Sequence, residues 1–131
     1  MAIVNFGEHI TIDGYEGSEE KLSDKNLILF CLSDLVANLG MRELAPPQVY
    51  FAEGNDSKDP GGWTGFVIIE ESHISIHTFP KRLFVSADVY TCKNGLNKEL
   101  ILEYFKEKFL LKDIELNFFK RGTRYPAHNL V

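Results

Sequence analysis

From His9 to Tyr15 apolar and polar residues alternate with a period of two, Ile10 and Ile12 on one face and His9, Thr11 and Asp13 on the other, which predicts a strand over 9–15. Gly17-Ser18-Glu19-Glu20 reads as a break. The period then changes, because Ile28, Cys31, Leu32, Leu35 and Leu39 recur at helical spacing. They predict a helix over 24–39, capped by Ser23 and stopped by Gly40. That stripe is core, and Cys31 within it carries no chemical role. Pro46-Pro47 resets the chain before a short strand at 48–52. Residues 53–62 have the composition of an exposed loop able to line a pocket.

A nearly continuous apolar run predicts a strand over 63–69, and another follows at 73–78. Phe79-Pro80-Lys81-Arg82 turns the chain into a strand over 83–92. There Val85, Ala87 and Val89 share a core face, while Phe84, Ser86, Asp88, Tyr90 and Cys92 share a face polar enough to wall a site. After a turn at Lys93-Asn94-Gly95, Asn97 caps a helix to residue 110 that buries Leu96, Leu100, Tyr104 and Phe105. Ile114, Leu116 and Phe118 alternate in a last strand. The tail from Arg121 is polar, contains Pro126 and is read as mobile. Strands in meander order with two helices across one face predict an α+β fold, a two-layer sandwich with an antiparallel sheet.

A chain of 131 residues fits one domain, 1–131, with a real core. The formal charge of −5, without basic clusters, argues against nucleic acid and is compatible with a cationic substrate. With no charged n-region and no long apolar stretch, the chain is expected to be cytoplasmic, with neither signal nor membrane anchor. Cys31 and Cys92 are expected to be free thiols.

The densest chemistry lies in Glu70-Glu71-Ser72-His73-Ile74-Ser75-Ile76-His77-Thr78-Phe79-Pro80, with Cys92 downstream. Two histidines suggest a metal, but the stretch has strand periodicity. His73 and His77 would then lie about 13 Å apart along the strand, too far to share one ion.

This stretch, followed by Asp88-Val89-Tyr90-Thr91-Cys92, resembles the self-cleaving site of the short prokaryotic S-adenosylmethionine decarboxylase proenzymes, which read Glu-Ser-His, then Ile-His-Thr-Trp-Pro-Glu, then Thr-Cys. His9–Tyr15 is similar to that family's opening strand. The resemblance implies the same fold and a homodimer with active sites between subunits. It also implies a home-made cofactor. An α-amino acid loses carbon dioxide only if something accepts the electron pair left behind, which no side chain does well. In similar enzymes a pyruvoyl group derived from the serine, here Ser72, supplies that sink. Ser72 Oγ would attack the Glu71 carbonyl, and the resulting ester would be eliminated, giving a β chain of 1–71 and an α chain of 72–131.

By the same resemblance His77 is the processing base, Thr64 supplies a hydroxyl eight residues before Ser72, and Cys92 is the acid that reprotonates the product. Near-neutral imidazole and a largely protonated thiol suit those roles. Ser72 and His77, five apart, face opposite sides of a regular strand, so a turn or bulge is expected at Glu71-Ser72. His73 is open between site and structure, and His9 and His128 are expected at the surface.

The departures concern substrate. Phe79 stands for the tryptophan that helps seat the adenosyl group, and Lys81 for the glutamate that binds the ribose. Phe79 keeps an aromatic face, but Lys81 has no acceptor for a diol. Three readings follow. The first, slightly ahead, is S-adenosylmethionine decarboxylation in polyamine synthesis. The second is decarboxylation of ornithine or arginine, with Asp88 and Glu70 or Glu71 forming an acidic wall for the cationic side chain. The third is an uncut, inactive homologue serving as a partner subunit, against which the joint presence of Glu71, Ser72, His77 and Cys92 counts.

Overall fold

The computed structural model describes residues 5–55 and 58–126, so His128 lies outside the described residues. Six strands form one sheet: β1 (Gly7–Tyr15), β2 (Gln48–Glu53), β3 (Gly61–Ile69), β4 (Ser72–Phe79), β5 (Phe84–Thr91) and β6 (Asp113–Arg121). Their order is β2-β3-β4-β5-β1-β6, every neighbour antiparallel. Two long helices, α2 (Lys25–Asn38) and α3 (Lys98–Phe109), follow a short α1 (Glu19–Leu22). This is the expected two-layer α+β sandwich.

Alternation builds the layer boundary. Ile10, Ile12, Ile74, Ile76, Val85 and Val89 are buried from one sheet face against Ile28, Cys31, Leu32 and Leu35 of α2 and Ile101, Phe105 and Phe109 of α3. Each large apolar side chain so buried contributes about 1.5–3 kcal/mol. Leu96 and Leu100, expected to be buried, only pack against the edge of this core. The opposite sheet face carries His9, Thr11, Asp13, Ser75, His77, Ser86 and Asp88, and among the described residues no helix covers it.

Three local details differ from the sequence reading. Glu19–Leu22 is a helical turn rather than a break, because Ser18 accepts from Lys21 N–H and two glutamates sit at its N-terminal end. Ser23 therefore ends α1, and the cap of α2 is Asp24, whose side chain accepts from Leu27 N–H. Strand β3 starts at Gly61, inside the expected loop. Gly62 there has φ 158°, and a Cβ would sit 1.9 Å from the Thr78 carbonyl oxygen, so glycine lets β4 approach. The polar tail begins inside the sheet, since Arg121 pairs with Gly7 in the last register of β6.

Candidate active site

The β3–β4 connection is a two-residue hairpin turn, Glu70-Glu71, between the paired residues Ile69 and Ser72. Ser72 has φ 153°, a region that side chains rarely adopt and that costs about 1–3 kcal/mol. The Glu71–Ser72 peptide is held from the neighbouring strand, as Cys92 N–H donates to the Glu71 carbonyl at 3.0 Å. Cys92 lies just past β5, exposed and free. The turn after it is anchored by buried Glu8, whose Oε1 accepts from Gly95 N–H at 3.0 Å and Leu96 N–H at 2.9 Å. Glu70 faces Arg42 at 3.7 Å and Glu71 faces Lys93 at 3.8 Å.

The second group lies on the open face, toward the far end of β4. Thr64 and His77 are register partners, with Thr64 Oγ1 3.3 Å from His77 Nδ1. Phe79 stacks obliquely on Phe84 at 5.6 Å and lies beyond His77. Lys81, in the turn after β4, borders a cleft of about 300 Å³ with Glu19, Ser23, Phe51, Trp63 and Pro80.

Between the two groups sits Asp88. Its Oδ2 accepts from His9 Nε2 at 2.6 Å and from His73 Nε2 at 3.2 Å, and its Oδ1 accepts from the Ser75 hydroxyl. Arg121 fixes the His9 tautomer: a guanidinium only donates, and Arg121 Nη1 is 2.8 Å from His9 Nδ1. So His9 accepts at Nδ1 and donates from Nε2 to Asp88. Burial alone would push the Asp88 carboxyl up, but hydrogen bonds from Ser75, His9 and His73 and the charge of His73 outweigh it and hold it below its ordinary value. Burial pushes the Cys31 thiol up to about 11, in keeping with a core role.

The structure thus gathers Glu71, Ser72 and Cys92 at one rim and Thr64, His77 and Phe79 at the other end of the β3–β4 pair. It does not unite them. The turn expected at Glu71-Ser72 exists, but the β3–β4 and β4–β5 registers run without a bulge from Ser72 to His77. Five residues of strand separate the two by about 17 Å. Ser72 shares the parity of buried Ile74 and Ile76, whereas His77 faces the open side. Nor do Asp88, Glu70 and Glu71 make one wall, since the glutamates are at the hairpin rim and Asp88 is opposite Ser75. Glu8 and Arg121 escaped the sequence reading. Glu8 falls on the apolar parity of its strand, a signal that could have exposed it.

By class, the protein is a two-layer α+β domain whose reactive groups collect at one hairpin rim and one open sheet face. A family model described as S-adenosylmethionine decarboxylase matches residues 8–122, and the chain belongs to that family. It is 30% identical over 123 residues to the S-adenosylmethionine decarboxylase proenzyme of Symbiobacterium thermophilum, covering 94% of this chain and 88% of that one. It is 32% identical to the proenzyme of Pyrococcus furiosus over 118 residues, covering 88% and 78%. A crystal structure of the adenosylmethionine decarboxylase from Aquifex aeolicus VF5 is similar with a TM-score of 0.76 at 28% identity, covering 90% of this chain and 92% of that one.

Proposed function

We propose that the chain is a proenzyme that cuts itself between Glu71 and Ser72 and, once cut, decarboxylates S-adenosylmethionine as a homodimer. The observation that carries this reading is the scissile carbonyl. Glu71 C=O accepts from Cys92 N–H at 3.0 Å, next to a strained Ser72 whose own hydroxyl is the nucleophile. A donor already on that oxygen is placed to stabilise the negative charge that grows there on attack. Ser72 Oγ bonds to the carbonyl carbon, the Glu71–Ser72 C–N bond breaks, and the amine takes the proton, leaving an ester. A base then removes the Ser72 α-proton, the Cβ–O bond breaks and the Glu71 carboxylate departs. Water replaces the nitrogen of the dehydroalanine, ammonia leaves, and the 72–131 chain begins with a pyruvoyl group. That group supplies the electron sink for decarboxylation.

The base is His77, with Thr64 beside it, but they belong to a second copy. A base must come within about 3 Å of its proton. A twofold axis lying across the strands between two open faces brings the Ser72 end of one sheet over the His77 end of the other. In that dimer each site takes Glu71, Ser72 and Cys92 from one copy and Thr64, His77, Phe79 and Lys81 from its mate. Cys92, exposed beside the cut, is the proton donor to the product. Asp88 has both oxygens engaged by protein donors and acts as an organiser of the open face.

A second substrate reading, ornithine or arginine, is favoured by one observation. Lys81 borders the cleft at the place where a diol acceptor is expected, and the acidic residue Glu19 also lines it. Intact mass spectrometry under denaturing conditions tests the reading. Chains of 1–71 and 72–131 are expected, the shorter gaining the decarboxylated mass of its substrate on reductive trapping. A wild-type chain that stays whole, or Ser72→Ala that is still cut, refutes it in favour of an inactive partner subunit.

A further inference from the structure

We propose that Lys93 is a positioning residue for the cut, its ammonium neutralising the Glu71 carboxylate so that negative charge can grow on the neighbouring scissile carbonyl. The inference rests on the self-cleavage reading and adds to it a residue outside the reacting atoms. Glu71 carries two oxygen centres that compete during Ser72 attack: its carbonyl, which becomes negative, and its side-chain carboxylate, which already is. Two like charges on one residue raise each other's free energy, most strongly where water is scarce. The Glu71 side chain is only 18% exposed, and its Oε1 is buried with no hydrogen-bond partner among the described residues. Its other oxygen faces Lys93 Nζ at 3.8 Å. Among the described residues the carboxylate therefore has Lys93 as its compensating cation.

Lys93 is aimed there by its surroundings. Its backbone N–H donates to Thr91 Oγ1 at 3.1 Å, and its Nζ also reaches the Gly40 carbonyl past the end of α2 at 3.5 Å. The next two peptides but one, at Gly95 and Leu96, are tied to Glu8. The residue is adjacent to Cys92, whose N–H holds the scissile oxygen. One short turn thus delivers both a hydrogen bond to the reacting carbonyl and a cation to the charge beside it.

The test is the rate at which freshly translated full-length precursor yields the 1–71 and 72–131 chains. Lys93→Ala is expected to slow the cut about fivefold, a size set by a partly exposed pair, while Lys93→Arg stays within twofold of wild type. In a Glu71→Gln background, where no carboxylate needs compensation, Lys93→Ala is expected to change the rate by less than twofold. Two results overturn the proposal: an unchanged rate in Lys93→Ala, or an equal slowing in the Glu71→Gln background, which would assign the loss to turn structure. A wild-type precursor that is never cut overturns the self-cleavage reading itself, so the two failures are distinguishable.

Discussion

Mixing two dead subunits should restore self-cleavage. Ser72→Ala lacks the nucleophile and His77→Ala lacks the base, so neither homodimer is expected to cut. Within one chain the two residues are separated by five positions of unbroken strand, about 17 Å, and point to opposite faces. Proton transfer needs about 3 Å. The discrepancy, about 14 Å, is far beyond what a side-chain rotation can cover, so in the proposed mechanism His77 acts on a different copy. In a mixed dimer, Ser72 of the His77→Ala chain meets His77 of the Ser72→Ala chain, and the other site has neither. Random pairing of equal amounts puts about half of the His77→Ala chains into mixed dimers. Co-expression with a distinguishing tag on each variant, followed by denaturing mass spectrometry, should find about half of the His77→Ala chains cut and every Ser72→Ala chain whole. No cleavage in the mixture, or full cleavage of His77→Ala alone, would rule out a base supplied by a second copy.

Two further outcomes follow, one from the open face and one from the cleft at Lys81. Asp88 has a folded-state value below the ordinary carboxylate range, so it contributes stability that is complete above its unfolded value and is lost as pH falls through the folded one. Asp88→Asn should therefore flatten the loss of thermal stability between neutral and acidic pH; an unchanged acid limb in unfolding scans counts against the network. Lys81→Glu restores an acceptor at the cleft rim and should shift the ratio of kcat/KM toward S-adenosylmethionine over ornithine and arginine by about tenfold, the value of one buried hydrogen-bonding group. An unaltered ratio in a competition assay removes Lys81 from substrate choice.

The elements were legible because their signals are local. Period-two runs, and for β3 a nearly continuous apolar run, gave the strands to within a few residues, and Asn97 capped α3 as its spacing required. The short α1 was missed since Ser18-Glu19-Glu20 reads equally as turn or capped helix, and the contacts that decide it, such as Ser18 N–H to the Phe109 carbonyl, are ninety residues away in sequence. The site was legible as a set of residue types but not as a place. Parity already put Ser72 and His77 on opposite faces. What the sequence could not supply was the register, which shows that the turn leaves them apart; the second copy is the proposal built on that separation. Glu8, His9 and Arg121 act through partners on β5, β6 and the turn after β5, which no local pattern links to them.

The strand order also bears on how such a chain would survive the proposed cleavage. Residues 1–71 contribute β1, α1, α2, β2 and β3, and residues 72–131 contribute β4, β5, α3 and β6. In the sheet these interleave: β3 pairs with β4 across the cut, and β1 lies between β5 and β6, both from the other fragment. Three ladders and a shared core therefore join the fragments, with Ile10, Ile12 and Leu32 from one packed among Ile74, Ile76 and Phe105 from the other. The proposed cut would break one peptide bond at the end of a two-residue turn, whose closure constrains little that the ladders do not already hold. The cut is expected to release the strained Ser72 backbone without loosening the sheet. Under native size-exclusion chromatography the two chains should elute together after cleavage and separate only in denaturant. Their separation in native buffer would mean that the ladders joining β1 to β5 and β6 are not what holds the domain together.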